Sequence, residues 1–360
     1  MCPLAAELRR RPGLRVTVCA TGQHRELLRN TLEVFGVRPD VDLDLMRPGQ
    51  SLFDVTAGVL TALRPVLAAA RPDLVLVHGD TATAFAAALA CFYLDIPLGH
   101  VEAGLRSGEP RRPFPEEFNR RAVSLLASFH FAPTQTAAAN LRREGIAPER
   151  IFVTGNTVVD ALRYTLREDY SHPILDWAGR RRLIIVTAHR RESIGAPMRG
   201  IFRAVRRVME AHPDCAAAVP VHPNPAVGEL AAAELDGCAN ILLTAPADAA
   251  DCHNLEARCW CCLTDSGGMQ EECAALGRPV LVLRDVTERP EGVACGAARL
   301  AGTAEEDVFR SFSRLLEDRE VYIKMSKAGN PYGDGRACER IADVIETGRC
   351  RPYIDHNNIM

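Results

Sequence analysis

The sequence predicts an α/β protein made of two Rossmann-like, doubly wound halves. Three observations carry this. Short apolar runs alternate with longer helical stretches along most of the chain, the pattern of βαβ units. The alternation occurs twice, on either side of a charged segment, 163–182, that contains Pro173. Polar or glycine-rich sequence follows the apolar runs, as at the carboxyl ends of parallel strands, where open sheets bind ligands.

The 360 residues allow two ordinary domains. The expected division is 1–162, 163–330 and a terminal segment 331–360. A net charge of −3 with mixed signs argues against nucleic acid as a partner. No unbroken apolar run approaches the ~18 residues that span a bilayer, and the start lacks a signal-peptide profile. The expectation is a soluble cytoplasmic protein with no membrane partner.

Taken in order, residues 1–11 form a helix with Leu4 and Leu8 on one side, ended by Pro12-Gly13. Residues 15–20 form a strand, with Thr21-Gly22-Gln23-His24 at its carboxyl end. A doubly wound domain starts with a central strand, so a helix ahead of the first strand implies that this strand is missing. A helix over 26–35, a short strand over 41–45 and a long helix over 53–70, interrupted near Pro65, come next. Residues 74–77 are apolar throughout, long enough for a buried strand and too short for a helix. They stop at His78-Gly79-Asp80-Thr81. An Ala-rich helix over 82–93 leads to a strand over 96–101 that delivers Glu102-Ala103-Gly104 and a loop carrying Glu116-Glu117. Helices over 120–127 and 137–144 and strands over 129–133 and 151–154 complete the first half. The second half repeats the pattern with strands over 183–187, 216–221, 241–244, 261–264 and 279–283. Residues 304–329 are helical, and a last helix covers 337–347.

Asp80 and Glu102 fall at adjacent strand tips, with Glu116 on the next loop. Carboxylates so placed suit acid/base chemistry on a neutral substrate. Taken singly, Asp80-Thr81 also reads as a helix N-cap and Glu116 as a first-turn carboxylate. Ser266-Gly267-Gly268 at a helix start bares backbone N–H groups to an anion, although any tight turn wants glycine. With His189 and Arg289 on neighbouring loops, the expected ligand is a diphosphate, and Glu271 or Glu272 accepts from sugar hydroxyls. Thirteen cysteines include Cys252, Cys259, Cys261 and Cys262 beside His253, a spacing open to zinc. Cys261-Cys262 reads instead as part of a buried strand with cysteine as a small apolar residue, so no metal is expected.

Several segments together resemble the non-hydrolysing UDP-N-acetylglucosamine 2-epimerases. They include TGQH at Thr21, VHGDT at Val77, GHVEAGLRSG at Gly99, PFPEEFNR at Pro113 and VTGNTVVDAL at Val153. TAHRRES at Thr187, PVHPNP at Pro220, TDSGGMQEE at Thr264, RDVTERPEG at Arg284 and NPYGDG at Asn330 continue the match. The resemblance implies the GT-B type of fold, two Rossmann-like domains facing a cleft, with the terminal helix crossing back to the first. It implies C2 epimerisation of UDP-N-acetylglucosamine by elimination and re-addition of UDP through 2-acetamidoglucal. Asp80, Glu102 and Glu116 match the acid/base candidates, and His189 the group that stabilises the leaving diphosphate. Ser266, Gly267, Glu272 and Arg289 match positions that hold the nucleotide sugar, Gly268 sharing their turn. Gln23, His24 and His222 fall in segments matching a second, activating sugar site. No cofactor is implied. A homodimer is, and so is a place in surface-polysaccharide synthesis.

The chain departs from the family twice. Met1-Cys2-Pro3-Leu4 aligns just after the family's N-terminal Gly-Thr-Arg-Pro-Glu motif and lysine, so the first strand and a basic loop are expected to be absent. Weak or no activity follows, as a UDP-sugar binder. Aromatic residues near Ala249 and Cys252 are also lacking, which weakens base binding. A hydrolysing epimerase, a UDP-sugar glycosyltransferase and an epimerase of modified sugars are the rival readings.

Overall fold

The computed structural model of the chain describes residues 1–22, 25–47 and 49–350. They fall into two units, each taken by itself: Met1–Tyr164 with the segment starting at Tyr332, and Thr165–Pro331.

The first unit runs α1 (Cys2–Arg9), β1 (Cys19–Ala20), α2 (Arg25–Val34), β2 (Val41–Asp42), α3 (Leu52–Ala70), β3 (Val75–His78), α4 (Ala82–Tyr93), β4 (Leu98–Val101), α5 (Glu116–Leu126), β5 (Phe129–Ala132), α6 (Gln135–Arg143), β6 (Ile151–Val153) and α7 (Thr157–Thr165). The second runs α8 (Pro173–Ala178), β7 (Arg182–Thr187), α9 (Ala196–Ala211), β8 (Cys215–Pro220), α10 (Pro225–Leu235), β9 (Ile241–Thr244), α11 (Ala249–Arg258), β10 (Cys261–Thr264), α12 (Gly267–Ala275), β11 (Val280–Val282), α13 (Pro290–Cys295), β12 (Ala298–Leu300), α14 (Glu305–Glu317) and α15 (Arg319–Ser326). α16 (Ala337–Thr347) belongs to the first unit.

In the first unit β3, β4, β5 and β6 form a parallel sheet in chain order, and β1 pairs with β2 in a separate parallel ribbon. Every residue of β4 is buried, as for a strand covered on both faces. One face packs Val77 and Leu98 against Val59, Leu63 and Leu67 of α3 and the small alanines of α4. On the other face Val101 and Phe131 meet Leu4 and Leu8 of α1 and Ile341 and Val344 of α16. Arg11 fastens these two helices, reaching Glu7 at 2.8 Å, Asp343 at 3.1 Å and Glu346 at 2.9 Å. Asp160 caps α16 by accepting from Ala337 N and Cys338 N at 3.0 and 2.8 Å.

The second unit is one parallel sheet in the order β9-β8-β7-β10-β11-β12. The direction of progression reverses between β7 and β10, the topological switch point where such sheets bind ligands. Alternate residues of its strands enter opposite cores: Ile184, Val186, Leu263 and Leu281 on one face, Leu183, Ile185, Cys262 and Val280 on the other.

Several expectations are corrected. α3 runs unbroken through Pro65, because Val59, Leu63 and Leu67 anchor it on both sides of the missing N–H. The strands over 15–20 and 41–45 shrink to two residues each; Val18 instead pairs its N–H with the Asp40 carboxylate at 2.7 Å. The helical run over 304–329 breaks at Asp318, whose carboxylate caps α15 through Glu320 N and Val321 N. α3 is also long and apolar enough, by length and composition, to cross a membrane. It escaped a search for unbroken apolar runs because Asp54 and Arg64 interrupt it. Cys261 and Cys262 lie fully buried in β10, and among the described residues no three His, Cys, Asp or Glu side chains are grouped to hold a metal.

Candidate functional site

The carboxylates of the first unit stand where β3 and β4 end. His78 pairs with Val101 in register, so the turn after β3 lies beside the turn after β4. Thr81, not Asp80, caps α4, its hydroxyl accepting from Ala84 N at 3.1 Å. Asp80 is thereby left to Arg120, whose Nε donates to Oδ2 at 3.0 Å and whose Nη2 makes a second, shorter contact. Arg120 is itself buried and also donates to buried Glu117 at 3.2 Å. Asn119 Nδ2 donates to the Asp80 carbonyl at 2.8 Å. α5, which begins at Glu116, is therefore tied side chain by side chain to Asp80.

Glu102 has φ 64°, a left-handed backbone that costs a glutamate roughly 1–2 kcal/mol. Such strain persists where the surroundings enforce it, and it clusters at functional sites. A Cβ on Gly79 would come within 3.1 Å of Glu102 Oε2, so the carboxylate lies over the glycine next to Asp80. Asn156 Nδ2 donates to Glu102 Oε1 at 3.4 Å, and His78 Nδ1 is 3.6 Å from Oε2. Glu116 is the first residue of α5, and its Oε2 is buried with no hydrogen-bond partner. The first-turn placement is the structural role foreseen for it; the unsatisfied oxygen is not explained by that role.

His100 holds the turn from beneath. It is fully buried, and its Nε2 lies 2.9 Å from the Gly79 carbonyl. Burial pulls its pKa down to about 3, the Gly79 hydrogen bond opposing. The ring is thus neutral and donates from Nε2 to Gly79 O.

In the second unit the expected residues gather at the switch point. Thr187 pairs with Thr264, which brings the loop after β7 beside the loop after β10. Asp265, fully buried, accepts from His189 N and Arg190 N at 2.7 and 2.8 Å and meets His189 Nδ1 at 2.8 Å. Burial raises the Asp265 pKa, but the His189 ring and the two amides outweigh it and hold the carboxyl below its ordinary range. An ionised Asp265 orients the imidazole through Nδ1. His222 stacks on His189 with centroids 5.6 Å apart at 11°.

Ser266 precedes α12 without capping it through its side chain, leaving the N–H groups of the first turn at Gly267 and Gly268 to a ligand. A Cβ on Gly267 would meet the Arg289 guanidinium carbon at 2.4 Å, so glycine is required for Arg289 to lie over the helix start. Arg289 is held there by Glu271 through Nε at 2.9 Å and by Glu288 through Nη1 at 2.7 Å. Glu272, one turn into α12, meets His253 Nε2 through Oε1 at 3.4 Å.

Asp80 and Glu102 thus come together in the first unit, with Glu116 at the start of the helix that holds Asp80, and His189, His222, Ser266, Gly267, Gly268, Glu272 and Arg289 lie in the second. Gln23 and His24 lie outside the described residues. Sequence reasoning missed Arg120, Asn156, His100 and Asp265. Asn156 and Asp265 carried a usable signal, each being polar and directly following a strand.

The family model described as UDP-N-acetylglucosamine 2-epimerase matches residues 6–346. A UDP-N-acetylglucosamine 2-epimerase of Bacillus subtilis is 48% identical over 345 residues, covering 96% of this chain and 91% of that protein. The structure of UDP-GlcNAc 2-epimerase from Neisseria meningitidis bound to UDP-GlcNAc superposes with a TM-score of 0.92 at 40% identity, covering 96% of this chain and 95% of the other. The S. aureus MnaA–UDP structure gives a TM-score of 0.93 at 43% identity, covering 98% and 95%. With both its carboxylate cluster and its switch-point loops lying inside the matched span, the chain belongs to the UDP-N-acetylglucosamine 2-epimerase family.

Proposed function

We propose that this chain interconverts UDP-N-acetylglucosamine and UDP-N-acetylmannosamine without hydrolysing them. The observation that carries the reading is Glu102, a carboxylate kept in a left-handed backbone beside Asp80. The C2–H bond is not acidic, so breaking it needs a positioned carboxylate and a departing group at C1. One carboxylate takes the C2 proton, the C1–C2 double bond of 2-acetamidoglucal forms, and the C1–O bond breaks with its electron pair leaving on UDP. Return of a proton to the opposite face of C2 and re-addition of UDP at C1 complete the inversion. Two faces require two groups, and Asp80, Glu102 and Glu116 are the candidates. Arg289, the α12 N-terminus and the His189 ring held by Asp265 offset the charge gathering on the leaving diphosphate. Relatives bound to UDP-GlcNAc and to UDP support the ligand class.

Proton NMR of the purified protein with UDP-N-acetylglucosamine in deuterated water tests this. The expected result is deuterium at C2 together with UDP-N-acetylmannosamine. Free N-acetylmannosamine with UDP would assign the hydrolysing reaction instead, and absence of C2 exchange would refute the epimerase.

The same reading includes a cytoplasmic homodimer that supplies activated N-acetylmannosamine for polysaccharide synthesis. Cys91, Cys215, Cys259, Cys261, Cys262 and Cys273 are buried as free thiols, which supports a reducing compartment. α3, α4 and α5 expose Phe53 (87%), Phe92 (62%), Tyr93 (66%) and Leu125 (79%) on one unit, apolar side chains suited to contact with a second copy. Sedimentation equilibrium is expected to give twice 39.3 kDa, and Leu125→Asp to shift the mass toward one copy.

A further inference from the structure

Glu256 lies on α11, fully buried, and its Oε2 has no hydrogen-bond partner. Its Oε1 accepts from Cys252 Sγ at 3.2 Å. Facing α11 from α12 is Glu272, which reaches the α11 helix one turn before Glu256 and whose charge acts on the Glu256 carboxyl. There it meets His253, whose Nδ1 is 2.7 Å from the Thr165 hydroxyl. The other titratable neighbours are the thiols of Cys259, Cys262 and Cys273. Arg278, beyond α12, gives its guanidinium to the Ala257 carbonyl. No arginine or lysine pairs with Glu256 among the described residues.

Two ionised carboxylates are both acceptors, so a hydrogen bond between them requires a proton. An ionised Glu256 would be a buried charge without a counterion, which is costly. Burial first, and the Glu272 charge second, push the Glu256 carboxyl well above the usual carboxylate range, and the Cys252 thiol opposes them. The α12 carboxylate set against the Ser-Gly-Gly turn thus has a neutral donor behind it and an imidazole beside it.

We propose that Glu256 is a positioning residue that stays neutral, donates its carboxyl hydrogen to Glu272, and so fixes Glu272 where it accepts from the hydroxyls of the bound nucleotide sugar. The ligand half of the proposal rests on the UDP-sugar reading; the shared proton does not. In the unfolded chain Glu256 titrates near ~4.3. With its folded value raised, its stabilising contribution is complete below that pH and is lost as pH rises through the folded value. Loss of the proton also sets two charges against each other behind the nucleotide loop.

The test measures Tm from about pH 5 to 9 and the Kd of UDP by calorimetry, for the full wild-type chain, Glu256→Gln and Glu256→Leu. Glutamine keeps a donor toward Glu272 but does not titrate. Its Tm, relative to wild type, is expected to climb steadily with pH, with UDP affinity at neutral pH within about twofold of wild type. Leucine removes the donor and is expected to weaken UDP about tenfold. A glutamine variant whose Tm tracks wild type at every pH overturns the shared proton. A folded leucine variant with wild-type UDP affinity overturns the positioning role; should it fail to fold, the glutamine series decides. Wild type that binds no UDP yet shows the Tm difference refutes the nucleotide reading and keeps the proton pair.

Discussion

Replacing Glu102 by glutamine is expected to lower kcat for epimerisation about a thousandfold while Tm stays within about 2 °C of wild type. Positioned acid/base groups contribute about 10²–10⁴-fold, and an amide of the same shape cannot take up the C2 proton. The fold should not register the change. Glu102 is placed by its backbone, where Gly79 N donates to Val101 O at 3.0 Å and Ala103 N donates to Phe131 O at 3.0 Å on either side of it. The left-handed φ is thus enforced by the sheet, and glutamine inherits it. C2 deuterium exchange, kcat and KM measured together check the result. A loss confined to KM would mean that Glu102 binds the sugar and moves no proton. Activity within tenfold of wild type would leave the acid/base work to Asp80 and Glu116.

Replacing Gly104 by alanine should instead be felt by the whole first unit. Gly104 has φ +89°, and a Cβ there would sit 2.3 Å from the Ala137 carbonyl oxygen and 3.0 Å from Leu141 Cγ. The obstacle is backbone in the first turn of α6, which is itself capped by Thr134, so no side chain can swing aside. Asn140 Nδ2 also donates to Gly104 O at 2.8 Å, pinning the loop to that helix. The left-handed backbone costs alanine roughly 1–2 kcal/mol and overpacking about 1–3 kcal/mol, a combined loss of about 2–5 kcal/mol. In a unit of this size the melting transition should fall by roughly 10 °C. Calorimetry checks this, and a fall below ~3 °C would show that the loop yields more easily than its contacts imply.

What was legible in the sequence was local. The apolar run ending in His78-Gly79-Asp80 and the Ser-Gly-Gly turn before α12 each announce an element and its end within a dozen residues. What stayed hidden depends on register between distant segments. Asp265 reaches His189, 76 positions earlier in the chain, only because β10 lies beside β7 with Thr264 opposite Thr187. Arg120 reaches Asp80 across 40 positions through the placement of α5. Nothing local distinguishes Arg120 from its neighbour Arg121, which pairs with the same buried Glu117 from a more exposed position. Pro65 misled for the same reason: a local rule against proline was overruled by contacts made elsewhere. The short strands β1 and β2 failed differently, since the Asp40 carboxylate takes the Val18 N–H that a longer ladder would use.

The return of α16 to α1 has a consequence for biosynthesis. Arg11 and Asp343 are 332 positions apart, so the sheet face bearing Val101 and Phe131 is covered only in part, by α1, until α16 emerges. The intervening unit, Thr165–Pro331, has no such dependence and can fold while translation continues. At typical elongation rates the stretch from Tyr164 to Thr347 takes on the order of ten to forty seconds to make. The half of the protein made first is therefore the half finished last, and its open apolar face is the surface that a chaperone would have to guard.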